Sequence, residues 1–460
     1  MAELRLDELA QKMGGKILQG SPSLRFDRFN IDSRQSEPGE LFFAITAERD
    51  GHNYISHSVQ KGAAGAVISH KIPLQNQIIA LIQVKDTVQA LQLLAKRILQ
   101  ESNSKVIGIT GSMGKTTVKE FTAALLSSNG NVLKSKGSYN NHLGLPLSLL
   151  LLTKEDELAV LEYGMSSSGE ITALTHIAPP DIAVITNIKP VHLEFFKDIK
   201  KIAMAKKEIL NGLKSKGIAV LNGDDPLVKE IAEKRKGKQI FFGTSEGHDI
   251  SAKNIKNDGW KGTTFDLNYG QEKTKIFIPF FCKSSIYNFL AAASVAYALS
   301  IPAHVIARRA KHLAAFPNRG GLVHLENNIK LIDDSYNSNP AALEMALKDL
   351  SKLPGNRKIA ILGDMLELGQ NEIGFHTQAG EIAAQLGLDL LVTIGPLSLN
   401  MAKGAIAAGM KHSCIFSYQN SEKAAKEIKS FLKEGDLILV KGSRGIKTEK
   451  IVNELKGKGK

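Results

Sequence analysis

Short, continuous apolar runs separated by helical stretches dominate the chain. Residues 106–110, 159–161, 182–185 and 218–221 are such runs, each bounded by polar residues. A strand whose two faces are both covered reads this way, because alternate side chains point into two different interiors. The four runs therefore predict a buried parallel sheet. Residues 263–268 and 275–279 alternate apolar and polar positions more regularly, which predicts an antiparallel hairpin at one edge of that sheet. An alanine-rich helix is predicted over 287–299. The N-terminal part reads as a smaller α/β unit. It has strands at 41–45 and 65–68, helices at 55–61 and 87–100, and a polar linker at Glu101-Ser102-Asn103-Ser104. In the C-terminal part, strands at 359–362, 390–394 and 437–440 and helices at 341–350 and 424–432 predict an open doubly wound sheet. The expected fold class is α/β in three domains: a small N-terminal α/β domain (1–102), a central parallel-sheet domain (103–313) and a Rossmann-like doubly wound C-terminal domain (314–460).

Composition narrows the class only a little. Hydrophobic residues at 43% and charged residues at 23% are ordinary for globular protein and exclude a disordered chain. No apolar run approaches the roughly 20 residues of a membrane-spanning helix. The start, Met1-Ala2-Glu3-Leu4-Arg5, lacks the basic-then-apolar pattern of a signal peptide. A soluble cytoplasmic protein with no membrane insertion is expected. Cys282 and Cys414 are too few for a disulfide framework and form no metal-ligand cluster; both are expected to be small buried hydrophobes. The net charge of +13 comes from lysines spread along the whole chain, without an arginine-rich stripe or interleaved aromatics. That pattern argues against a nucleic-acid partner and fits polyanionic substrates such as nucleotides and phosphorylated sugars.

Gly111-Ser112-Met113-Gly114-Lys115-Thr116-Thr117 follows an apolar strand and opens a helical segment. This is the context of a phosphate-binding loop. Glycines let backbone N–H groups converge on phosphate oxygens, and the helix N-terminus adds partial positive charge. Lys115 is expected to reach the β- and γ-phosphates, and the Thr116 hydroxyl to ligate Mg²⁺. The first glycine of the full pattern falls at Ile109, so the match is Gly-x-x-Gly-Lys-Thr. Such a loop fits a kinase, a motor ATPase or a ligase. Glu162 ends the 159–161 strand and His192 follows the 182–185 strand. Strand C-termini are where open α/β sheets bind ligands. With the phosphate loop upstream, these two make a credible second-metal site.

On these motifs the sequence resembles the Mur ligases, ATP-dependent amide-forming enzymes of bacterial cell-wall synthesis. The N-terminal resemblance rests on Asp32-Ser33-Arg34, Pro38-Gly39-Glu40-Leu41-Phe42 and Asp50-Gly51-His52. In the centre it rests on the phosphate loop, Tyr139-Asn140-Asn141-His142-Leu143-Gly144-Leu145-Pro146, Glu162-Tyr163-Gly164-Met165, His192-Leu193-Glu194 and Ala205-Lys206-Lys207-Glu208-Ile209. In the C-terminal part it rests on Asp333-Asp334-Ser335-Tyr336-Asn337-Ser338-Asn339-Pro340, Leu362-Gly363-Asp364-Met365-Leu366-Glu367-Leu368-Gly369 and Lys441-Gly442-Ser443-Arg444. The last three are the most specific, and are similar to the family member that adds D-alanyl-D-alanine.

The resemblance implies one domain for a UDP-sugar, one for ATP and a mobile C-terminal domain that completes the site. It implies that D-alanyl-D-alanine is joined to a UDP-N-acetylmuramoyl-tripeptide through an acyl phosphate; a member adding a single amino acid is the nearest alternative. It implies ATP, two Mg²⁺ ions and a carbamylated Lys206 as cofactors, and a monomer. Carried over by residue, Lys115, Glu162, His192 and Lys206 are catalytic. Thr116, Glu162, His192 and Lys206 hold metal. Gly111, Ser112, Met113, Gly114, Lys115, Thr116 and Thr117 cradle the phosphates, while Asn288 and Arg319, with Asp334 nearby, contact adenine and ribose. Ser33 and Arg34 belong to the uridine site. Asn140, Asn141, Tyr336, Asn337, Lys441, Ser443 and Arg444 contact substrate. Arg444 follows the 437–440 strand, where its guanidinium can hold a carboxylate by two hydrogen bonds.

Overall fold

Alternate residues of the central strands enter two different cores. Val106, Ala159, Leu161, Ala183 and Ile185 pack into one, and Ile107, Ile109, Val160, Ile182 and Val184 into the other. This two-sided burial is why the strands read as unbroken apolar runs. The computed structural model describes residues 3–71, 79–127, 130–191, 193–196 and 198–457.

The central sheet has nine strands. From one edge they run Glu272–Ile278, Thr263–Tyr269, Ile250–Asn257, Gln239–Gly243, Ile218–Asn222, Ile182–Ile185, Lys105–Thr110, Asp156–Glu162 and Asn131–Lys134. The two pairings at the Glu272–Ile278 edge are antiparallel and the others are parallel. The expected edge hairpin is therefore present. Gln239–Gly243, Ile250–Asn257 and Asn131–Lys134 are additions to the expected set. The alanine-rich helix runs Lys283–Ala298 and covers one face through Phe289, Leu290 and Ala293.

The C-terminal sheet has six strands in the order Gly321–His324, Lys330–Asp334, Leu437–Lys441, Lys358–Gly363, Leu390–Ile394 and Ile415–Tyr418. All pairings but the first are parallel. Its two faces also feed separate cores, Leu362, Leu391 and Leu439 on one side and Ile361, Val392 and Val440 on the other. The helix expected over 424–432 is instead an α-helix at Ser421–Glu427 followed by a 3₁₀ turn at Ile428–Phe431. The N-terminal sheet has five strands, with Gly65–Ile68 at its centre. The linker expected at 101–104 is shorter than its composition suggests. The helix Thr87–Ser102 runs through Glu101 and Ser102, and Asn103 ends it in the left-handed conformation.

Several contacts tie the domains together. Leu91 and Leu94 of the Thr87–Ser102 helix share a core with Leu145 and Leu149 of the central domain. The single tryptophan, Trp260, extends from a central-sheet turn, donates Nε1–H to the Pro354 carbonyl at 3.1 Å and stacks edge-on against Phe281. Among the described residues no helix is long and apolar enough to cross a membrane.

Candidate active site

The loop after the strand Lys105–Thr110 turns in space that only glycine can occupy. Gly111 has φ +148°, and a Cβ there would fall 1.9 Å from Thr186 Oγ1. Gly114 has φ +83°, and a Cβ there would fall 2.4 Å from Asn288 Oδ1. The loop is fastened to the end of the next strand. Thr186 Oγ1 donates to the Met113 carbonyl at 2.6 Å, and Met113 N–H donates to Asn187 Oδ1 at 3.0 Å. Ser112 Oγ donates to the Lys189 carbonyl at 2.9 Å. The helix Lys115–Leu126 then begins without a side-chain cap. Its first-turn amides therefore open toward the cleft as an anion cradle.

Glu162 ends the adjacent strand, paired with Ile109, and is 2% exposed. Its Oε2 accepts from the Thr116 hydroxyl at 2.8 Å, and its Oε1 accepts from Asn140 Nδ2 at 2.9 Å. Arg319 Nη2 donates to the same Thr116 hydroxyl at 3.3 Å, so Arg319 stands at the phosphate end of the cleft. Lys115 Nζ donates to the Gly111 carbonyl at 2.8 Å. Burial lowers the Lys115 pKa; Glu162 partly offsets this and Arg319 adds to it.

Lys206 lies on the buried face of the helix Ile199–Asn211, beside Ala203 and Ala205, and is 2% exposed. Burial first, and then the nearby Lys115 charge, pull its pKa well below the usual lysine range. No carboxylate among the described residues counters either effect. Lys207, one position round, is half-buried. His192 lies outside the described residues. Paired oxygen donors at Thr116 and Glu162 fit a hard divalent cation; Lys206 is buried within electrostatic reach of Lys115 but is not among the residues lining the cleft.

The opposite wall comes from the C-terminal domain. The Tyr336 ring is covered by the Arg319 guanidinium at 3.9 Å and by the Arg444 guanidinium at 5.2 Å. The Tyr336 hydroxyl is hydrogen-bonded to Ser138 Oγ of the central domain. Lys441 is buried, donating to Asp334 Oδ2 at 2.5 Å and to the Asn337 carbonyl at 3.0 Å. Ser443 Oγ accepts from Leu366 N–H at 2.9 Å. Arg444 is exposed in the 3₁₀ turn after the strand Leu437–Lys441. The two walls enclose a cleft of 690 Å³ that also borders Thr117, Asn141 and Asn288. Ser33 and Arg34 are not part of it. In the N-terminal domain, Ser33 Oγ is bonded to His57 Nδ1 at 3.1 Å, and Arg34 forms a two-point pair with Asp32.

Several cleft residues escaped the sequence reading. Asp224 accepts from Thr244, Tyr287 and His248. Burial alone would raise its pKa, but the hydrogen bonds from Ser245, Thr244, His248 and Tyr287 hold it well below the usual carboxylate range. The signal was available: Asn222-Gly223-Asp224-Asp225-Pro226 follows a strand just as Glu162 ends one. Cys282 also differs from expectation. It is half-buried and borders the cleft, where burial and the neighbouring Asp349 push its thiol pKa well up. Cys414 is half-buried as well.

Two family models match the chain, the Mur ligase middle domain over residues 109–296 and the Mur ligase glutamate ligase domain over residues 318–444. The chain is 37% identical over 426 residues to the UDP-N-acetylmuramoyl-tripeptide–D-alanyl-D-alanine ligase of Bacillus subtilis, covering 92% of each protein. The chain belongs to the Mur ligase family. The Escherichia coli enzyme of the same name is 33% identical over 464 residues, with both chains fully covered. Among solved structures, this Mur ligase superposes on MurF from Acinetobacter baumannii with a TM-score of 0.89 at 30% identity, covering 99% of both chains. MurF from Thermotoga maritima, solved in complex with ADP, gives a TM-score of 0.80 at 30% identity, covering 94% of this chain and 97% of that one.

Proposed function

We propose that the chain joins D-alanyl-D-alanine to a UDP-N-acetylmuramoyl-tripeptide, with cleavage of ATP to ADP and phosphate. The observation that carries this reading is that the phosphate loop and the Arg444 turn face one cleft in a chain alike over its whole length to ligases of that name. The terminal carboxylate of the tripeptide attacks the γ-phosphorus of ATP, giving an acyl phosphate and ADP. The amine of the dipeptide then attacks the acyl carbon, and phosphate leaves from the tetrahedral intermediate. Neither step needs a covalent bond to the protein, so its side chains act by position and charge.

Lys115 and Arg319 offer positive charge to the transferring phosphoryl group. Thr116 and Glu162 would hold magnesium, together with His192 and with Lys206 as its carbamate. Bound magnesium would neutralise the crowded phosphate charge. Burial and the Lys115 charge favour the neutral Lys206 amine. That amine forms an N–C bond with CO₂ and loses one proton, leaving a carboxylate on a long stem. Asn288 faces the loop from the adenine side, and Ser33 and Arg34 are assigned to the uridine end. We divide the chain into domains at 102/103 and 313/314, and assign the reaction to a cytoplasmic monomer.

The dipeptide assignment has a direct test. Arg444 is exposed, sits beside the Tyr336 ring and has no carboxylate partner among the described residues. It is therefore available to bind the dipeptide's own carboxylate. Arg444→Ala should raise KM for D-alanyl-D-alanine roughly tenfold or more, the scale of a lost charge-assisted hydrogen bond, and change KM for ATP much less. Steady-state kinetics with each substrate varied in turn would separate the two. An unchanged dipeptide KM would make Arg444 a solvated surface residue.

A further inference from the structure

A second lysine lies one turn along the phosphate helix and has no part in the mechanism above. Lys119 is completely buried. Its ammonium donates to the carbonyls of Ser135 at 2.7 Å and Gly137 at 2.5 Å, and lies 3.2 Å from Glu120 Oε1. The Phe316 ring covers it at 5.7 Å. A buried ammonium is costly unless paired, and an apolar side chain of the same length would fill the space without that cost. What the cation holds must account for its presence.

Two of the three groups around it, the Ser135–Gly137 loop and Phe316, lead to the phosphate site, while Glu120 also pairs with Lys134. The loop pinned at Ser135 and Gly137 continues into Ser138, bonded to the Tyr336 hydroxyl, and Asn140, bonded to Glu162. Ser135 Oγ itself accepts the Glu162 backbone N–H at 3.1 Å. Phe316 stands three residues before Arg319, which bonds Thr116 and covers Tyr336. Glu162 therefore receives one support from the Lys119 loop, and Thr116 receives another from the linker packed on the same ammonium.

We infer that Lys119 is a positioning residue for the ligase reaction, a buried cation that fixes the Ser135–Gly137 loop and the Phe316–Arg319 linker so that Asn140 and Arg319 hold Glu162 and Thr116 from two sides. The inference rests on the reading of Thr116 and Glu162 as the pair that holds magnesium. Replacing Lys119 should therefore alter magnesium use more than dipeptide binding.

Lys119→Met keeps the length and removes the charge and the donors. Its kcat should fall about thirtyfold and its half-saturating magnesium concentration should rise about tenfold, the range seen when groups that orient metal ligands are lost. KM for D-alanyl-D-alanine should stay within about twofold. Hydrogen exchange of the backbone over residues 135–141 should quicken without any ligand present. Lys119→Gln retains a donor for one carbonyl and should fall between wild type and the Met variant; it carries the test if Lys119→Met does not fold. A lysine that serves stability alone would lower Tm and leave kcat per folded molecule and the magnesium dependence at wild-type values, which would overturn the inference. A wild-type protein that ligates without magnesium dependence would instead sink the metal reading beneath it. The same titration, run on wild type and variants, distinguishes the two failures.

Discussion

Lys115→Ala protein is expected to fold normally and to turn over at least about a thousandfold more slowly than wild type, the scale on which charges at a transferring phosphoryl group act. Within the loop the Lys115 ammonium is the one cationic side chain, and its recorded hydrogen bond is to the Gly111 carbonyl. Removing it takes one positive charge from near the buried Glu162, which keeps its hydrogen bonds from Thr116 and Asn140, and relieves the cost of burying the ammonium. Tm should therefore hold within a few degrees while kcat collapses. Thermal melts beside single-turnover kinetics would check both halves. Near-normal kcat in a folded Lys115→Ala protein would remove the nucleotide assignment of the loop.

Lys206→Ala should lose about two to three orders of magnitude in kcat and still bind ADP, because Lys206 lies on a different helix from the phosphate loop. A short carboxylic acid such as acetate or propionate should restore part of the activity by supplying the missing oxygen donors. Lys207→Ala should stay within about twofold of wild type, as expected for a half-buried lysine on the neighbouring face. Assays of the two variants with and without added acid decide the point. Equal, small losses at both positions would make Lys206 an ordinary helix residue and remove the carbamate.

The central strands were legible because both faces of the sheet are covered. Ile107 and Ile109 enter one core and Val106 the other, so every position in the run had to be apolar or small. Edge strands gave no such signal. Asn131–Lys134 is exposed at both ends, and Ile415–Tyr418 and Gly321–His324 are only partly buried. A residue on one covered face cannot produce a continuous apolar run. The end of the Thr87–Ser102 helix was hidden by polar composition: Glu101 and Ser102 complete its last turn on the solvent side, and only Asn103 leaves it.

The candidate site divides in the same way. Glu162 and the phosphate loop could be read from position, since each follows a buried strand and neighbouring strand ends converge. The stack of Arg319, Tyr336 and Arg444 could not. Its members come from the interdomain linker and two separate loops, and no local spacing relates them. Lys119 was illegible for another reason. A lysine in a helix is normally solvated, and nothing in its sequence neighbourhood marks the carbonyls of Ser135 and Gly137 as its partners.

The assigned reaction is tested most directly by measuring ADP release and product mass with purified protein, ATP, magnesium, a UDP-N-acetylmuramoyl-tripeptide and D-alanyl-D-alanine, and then omitting each component in turn. ADP should form at the full rate only in the complete mixture, in equal amount to a product whose mass is that of the two substrates joined with loss of water. ADP release that persists without the dipeptide, proceeds equally well with a single amino acid in its place, or is stimulated by DNA or RNA in place of the muramyl peptide would contradict it.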